Sequence, residues 1–134
     1  MSTMPARIVH ISIERDWREV ARFVLDHRNM SQWAAGLGSG LEQRGDHWVA
    51  DGGPIGEVQV RFAPANDFGV ADHEVTLPDG TMVQNTLRVV PNGDGAEVMF
   101  TLLRQPSMSD ADFEADGAHV RKDLEVLKSI LERR

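Results

Sequence analysis

The groups in this sequence that could do chemistry are few, and their spacing sorts them. Five histidines, His10, His27, His47, His73 and His119, never stand two or four positions apart. Those spacings put two imidazoles on one strand or helix face, so no metal site is expected. Ser39 sits in Gly36-Leu37-Gly38-Ser39-Gly40, where the glycines flank it one position too closely for a nucleophile elbow. With no cysteine and no tyrosine in the chain, thiolate and phenol chemistry are excluded. Asp72, His73 and Glu74 set acid beside base, but strand alternation turns both carboxylates away from the face His73 occupies. What remains is His73 with a distant amide, Asn85. An imidazole can remove a proton next to a carbonyl while an amide polarises the oxygen, so these two are the candidate catalytic residues. No cofactor is implied.

Whether His73 and Asn85 meet depends on the turn at Pro78-Asp79-Gly80. A two-residue Asp79-Gly80 loop would pair Val75 with Gln84 and set an apolar face beside a polar one. A three-residue loop, with Gly80 left-handed after a type I turn, pairs Leu77 with Thr81, Val75 with Val83, His73 with Asn85 and Ala71 with Leu87. Both apolar faces then agree. The next hairpin, through Asn92-Gly93-Asp94-Gly95, matches Val89 to Val98, Leu87 to Phe100 and Asn85 to Leu102. His73 and Asn85 are therefore expected as two polar groups on an apolar concave face.

The elements that would hold this face follow from periodicity. Residues 7–14 alternate, with Val9, Ile11 and Ile13 on one side, and form a half-buried strand. Asp16 and Glu19 have the spacing of a capping box, and Trp17, Val20, Phe23 and Val24 recur at helical intervals to about Asp26. A shorter helix over 31–35 must end in Gly36, Gly38 and Gly40. Only strand and turn signals follow: 41–44 and 47–50 around Gly45-Asp46, a glycine-rich hairpin loop over 51–56, then 57–63, 70–77, 81–90 and the strand containing Val98. A long helix closes the chain over 109–132, capped by Ser109, with Phe113, Gly117, Val120, Leu124, Leu127 and Leu131 in one stripe. Gly117 interrupts that stripe at a cost of ~1 kcal/mol against alanine, which implies close backbone contact with the sheet or space left for something else.

The whole fits one domain over residues 1–134, with 1–5 expected to be flexible. A length of 134 residues with 41% apolar composition is ample for one core. The balance of 14 Lys+Arg against 21 Asp+Glu gives a formal charge of −7, the wrong sign for neutralising phosphates, so nucleic acid is not an expected partner. No apolar run reaches the ~18–20 residues of a membrane span and the opening residues lack a signal-peptide core, so no membrane insertion and a cytoplasmic location are expected. Oligomeric state is not legible.

The order strand, two helices, six strands, long helix resembles the helix-grip fold of the SRPBCC superfamily, which includes START-type and birch-pollen-allergen-like proteins. The 26–37 stretch with Trp33-Ala34-Ala35-Gly36-Leu37, and the run TLPDGTMVQNTLRVVPNGDGAEVMFTLLR over 76–104, are similar to those of its polyketide cyclase/dehydrase-like bacterial branch. The resemblance implies an α+β domain, β-α-α-β(6)-α, in which a curved antiparallel sheet of about seven strands wraps around the C-terminal helix over an apolar cavity. It implies a carrier or sensor for a small hydrophobic or aromatic molecule, or alternatively a cyclase/dehydratase-like enzyme with a cavity histidine as general base. Trp33, Val58, Val60, Phe62, His73, Val75, Val83, Asn85, Leu87, Phe100, Leu102, Gly117 and Val120 are the expected ligand-binding residues. The strand arginines Arg61, Arg88 and Arg104 alternate onto the outer face.

Overall fold

The computed structural model of the chain describes residues 2–35 and 41–134. Strand β1 (Ala6–Ile13) leads into helix α1 (Trp17–Leu25), a 3-10 turn (His27–Asn29) and the short helix α2 (Met30–Trp33). Six strands follow: β2 (Glu42–Arg44), β3 (His47–Asp51), β4 (Glu57–Phe62), β5 (His73–Thr76), β6 (Met82–Asn92) and β7 (Gly95–Leu103). Helix α3 (Asp110–Glu132) closes the chain. The strands form one antiparallel sheet in the order β1-β7-β6-β5-β4-β3-β2. The architecture is the α+β helix-grip that the element order implied.

Turn chemistry sets the sheet register. Gly80 adopts φ +89°, Leu77 N–H donates to Thr81 O at 2.8 Å and Gly80 N–H to Leu77 O at 2.9 Å. The Asp79 carboxylate accepts from Thr81 N–H at 2.9 Å. This is the three-residue loop, and it pairs Val75 with Val83 and His73 with Asn85. The β6–β7 ladder likewise matches Val89 to Val98 and Leu87 to Phe100, and ends at Thr86 and Thr101. Strand β5 is shorter than the expected 70–77 because the Asp72 carboxylate takes the Leu87 N–H, at 3.0 Å, and the Arg88 guanidinium, at 2.9 and 2.7 Å. A side chain there competes with the backbone ladder.

At the helices, expectation and structure differ in detail. Asp16 caps α1 by accepting from Arg18 N–H at 3.2 Å, but Glu19 turns to Arg15, 2.5 Å away, so the reciprocal capping box does not form. On α3 the box is complete, between Ser109 and Asp112. Helix α2 starts one residue before the expected span; the glycines meant to end it, and Ser39, lie outside the described residues.

Two apolar clusters result. The larger gathers Val20, Phe23 and Val24 of α1, Val9 and Ile13 of β1, Leu87, Val89 and Val98 of β6 and β7, and Leu124, Leu127 and Leu131 of α3. The smaller joins Ala50, Val58, Val60 and Val75 across β3, β4 and β5. Helix α3 packs mainly on β1, β7 and α2, so its last three turns seal the large cluster. Its first turns stand over the β4–β5 half of the sheet without filling the space.

Candidate functional site

Between α3 and the concave face of the sheet lies a cavity of about 840 Å³. Its sheet wall is Val58 of β4, His73 and Val75 of β5, Val83 and Asn85 of β6, and Phe100 and Leu102 of β7. Met30 and Trp33 of α2 close one side, Leu77 and the Asp79 turn another, and Val120 and Leu124 of α3 form the roof. Exposed residues of the lining, Asp79, Ser107 and Asp112 among them, mark where it opens to solvent.

Three hydrogen-bonding groups sit in the apolar part, and their states can be derived. His73 is the buried polar residue of the core, 3% exposed. Its Nδ1 lies 3.2 Å from Ala71 O. A carbonyl can only accept, so Nδ1 carries the proton and Nε2 carries the lone pair. Asn85 Nδ2 is 3.4 Å from that Nε2 and donates to it, a long bond. An imidazolium would turn a second N–H toward the amide N–H, which agrees with burial holding the His73 pKa below its ordinary value. With Nδ2 so engaged, Asn85 Oδ1 has no hydrogen-bond partner among the described residues. The third group, Trp33 Nε1, is buried with no hydrogen-bond partner.

Around His73 runs an aromatic seam that joins the two apolar clusters. Phe62 lies 5.8 Å from His73 and Phe100 6.2 Å from it, centroid to centroid. His27 stacks on the other side of this seam, 3.8 Å from Phe62 at 16°, with Trp48 edge-on to both. Half-burial against these rings lowers the His27 pKa, an effect that Asp26 partly opposes.

Four expected residues lie elsewhere. Phe62 is covered by His27 rather than open to the cavity. Val60, fully buried, packs within the smaller cluster, and Leu87, 1% exposed, lies in the large cluster on β6, which packs against α1. Gly117 marks neither backbone contact nor open space: a Cβ there would meet Arg7 Nη1 at 3.0 Å and Arg7 Cδ at 3.4 Å. The glycine makes room for Arg7, which crosses α3 to pair with Glu114. The strand arginines stay out of the lining: Arg88 pairs with Asp72 and Arg104 with Asp110.

Sequence reasoning missed the polar wall of α3. Asp112, Asp116, His119 and Asp123 all line the cavity. Their spacing, four, three and four, places them on one helix face beside the apolar stripe, and that was the available signal. Partial burial raises the pKa of Asp116, which His119 moderates and Asp112 reinforces. Burial likewise raises Asp123, against the pull of the Ala35 N–H, which donates to it at 3.4 Å. Among the described residues, no group of three or more His, Asp or Glu side chains is arranged to hold a metal ion, and no helix is long and apolar enough to cross a membrane.

Neither a protein-family model nor a curated protein matches the sequence. Solved structures do match the fold. DynU16, of the dynemicin biosynthetic locus, superposes with a TM-score of 0.72 at 16% identity, over 95% of this chain and 47% of its own; this chain thus spans about half of that protein. XoxI from Bacillus cereus gives 0.73 at 14% identity, over 96% of both chains. The Aha1 dimer from Colwellia psychrerythraea gives 0.72 at 13%, over 96% of this chain and 97% of that one. At such identities the shared property is the helix-grip fold.

Proposed function

We propose that this protein binds a small molecule with an apolar or aromatic body in the space between the sheet and α3, as a carrier or sensor. The observation that carries the reading is the cavity of about 840 Å³, within the ~300–1,000 Å³ typical of small-molecule sites. Its walls are mostly aliphatic and aromatic, with a few fixed polar groups, the composition such sites share. An unfilled apolar space of this size forfeits packing that leucines could supply, and occupancy would recover it. The cyclase/dehydratase alternative needs His73 Nε2 free to take a proton. That lone pair already accepts from Asn85, so the pair is better suited to orienting a ligand than to moving protons.

The test is uptake of the neutral fluorophore N-phenyl-1-naphthylamine by the wild type and by Val83→Phe. Val83 is half-buried in the sheet wall, so a phenyl ring there takes up cavity volume without displacing core. Saturable one-to-one uptake in the wild type, weakened at least tenfold in a Val83→Phe variant of undiminished thermal midpoint, supports the reading. Absence of uptake, or uptake indifferent to the substitution, overturns it.

A further inference from the structure

The Trp33 indole N–H is an unpartnered donor in the lining, but the full charges that the cavity presents are carboxylates. On the sheet wall Asn85 offers Oδ1, because its Nδ2 is committed to His73. On the helix wall Asp116 and Asp123 present carboxylates, Asp123 half-buried and also accepting from Ala35 N–H, and Asp112 and Asp79, each holding a backbone N–H of its own turn, add their charge. All of these are acceptors. None of the four carboxylates takes part in an ion pair among the described residues, and no lysine or arginine stands in the lining. Arg7, Arg88 and Arg104 are engaged elsewhere, with Glu114, Asp72 and Asp110, while His119 and Lys122 act on Asp123 through charge without pairing with it. An apolar chamber entered past unpaired carboxylates repels anions and concentrates cations, because low-dielectric walls focus the field at the mouth.

We infer that the cavity selects its ligand by charge and hydrogen-bond polarity, taking an amphiphilic amine whose ammonium lies against Asp116 and Asp123 while its apolar body fills the chamber, and rejecting carboxylates and phosphates. This rests on the cavity being a binding site, and it goes beyond that reading by fixing the head group. Partial burial already works against both carboxylates carrying charge, and an incoming ammonium relieves this by supplying an ion-pair partner. Fatty acids, acyl phosphates and nucleotide-bearing thioesters bring the wrong sign. Neutral alcohols fall between: they donate a hydrogen bond but carry no charge.

A matched series separates the two levels of the argument. Binding of 2-naphthylmethylamine, 2-naphthylmethanol and 2-naphthoic acid is measured by calorimetry at pH 8, in low salt and in 0.5 M sodium chloride. The expected order is amine, alcohol, acid, with at least a tenfold gap between amine and acid. The gap should narrow in high salt, and should narrow likewise in an Asp116→Asn/Asp123→Asn variant that keeps the wild-type thermal midpoint. If all three probes bind with equal affinity, or the acid binds best, charge selection is refuted while the cavity stands as a site. If neither these probes nor the neutral fluorophore bind, both readings fall. Should the double variant not fold, the salt dependence of the wild-type gap decides: a gap that salt leaves unchanged is not electrostatic and overturns the inference.

Discussion

The His73 geometry makes a definite statement about stability and pH. Burial depresses the folded-state pKa of this imidazole, whereas the unfolded chain titrates it near the ordinary ~6.5. Above that pH neither state is protonated and the full stability is present. As pH falls below ~6.5 the unfolded state takes up the proton first, so stability is lost, at up to ~1.4 kcal/mol per pH unit, until the folded pKa is reached. His27 contributes in the same direction, by less, because it is half-exposed and screened. The decisive comparison is His73→Phe, which keeps an aromatic ring between Phe62 and Phe100 and removes the titration. It strands the Asn85 amide and Ala71 O at a cost of ~1–3 kcal/mol, an offset rather than a slope. Urea unfolding by tryptophan fluorescence from pH 8 to pH 5 gives both curves. The carboxylates that titrate toward pH 5 are common to both and cancel. The difference between wild type and variant should be constant above pH 6.5 and shrink steadily below it. Parallel curves throughout would refute the neutral, Nδ1-protonated assignment, as would a His73 ring resonance titrating with a midpoint at or above 6.5.

Three substitutions test the framework. Leu127 of α3 is fully buried, so Leu127→Ala should cost ~2–5 kcal/mol by chemical denaturation; a loss under half a kilocalorie would mean that the helix does not seal the core. Gly117→Ala gains up to ~1 kcal/mol of helix propensity against a flexible Arg7 that can shift, so the thermal midpoint should rise slightly or stay, with fluorophore uptake unchanged; weakened uptake would put this position at the cavity after all. Gly69→Ala combines φ +74° with a Cβ only 2.0 Å from Val89 O. The backbone conformation costs ~1–3 kcal/mol for a non-glycine residue and the overlap adds to it, so a variant as stable as the wild type would show the β4–β5 loop to be wrongly placed.

What was legible in the sequence was whatever one local rule decides. The Pro78-Asp79-Gly80 register followed from requiring two apolar faces to agree, and that requirement alone put His73 opposite Asn85. The α3 stripe followed from periodicity. Less legible were features in which one side chain answers another far along the chain. Gly117 reads as a gap in a stripe, but its reason is Arg7, 110 positions earlier. Phe62 alternates onto the concave face as expected, yet His27, from the turn after α1, covers it. The Asp72 carboxylate shortens β5 through Leu87 N–H and Arg88, which no pattern within 70–77 reveals. The acceptors Asp116 and Asp123 went unnoticed because carboxylates on a helix beside an apolar stripe are ordinarily its solvent face.

Those carboxylates also explain why the molecule has a cavity. A helix that fills a curved sheet needs large apolar residues along its whole inner side. Here the last turns of α3 supply Leu124, Leu127 and Leu131, all within 2% of full burial, and the large cluster closes around them. In the first turns the stripe thins to Phe113 and Val120, both half-buried, and the adjoining positions that border the cavity are Asp112, Ala115, Asp116 and His119, all of them exposed. Ala115 is too short to reach Val58 and Val75, and aspartates would be costly to drive into them without partners. The helix therefore stands off the β4–β5 half of the sheet while remaining fastened at its other end. The substitutions that withhold apolar volume are the same ones that supply charge, so the space and the head-group preference proposed for it come from a single set of residues. Placing leucine at 116 and 119 should therefore close the chamber and erase the preference together.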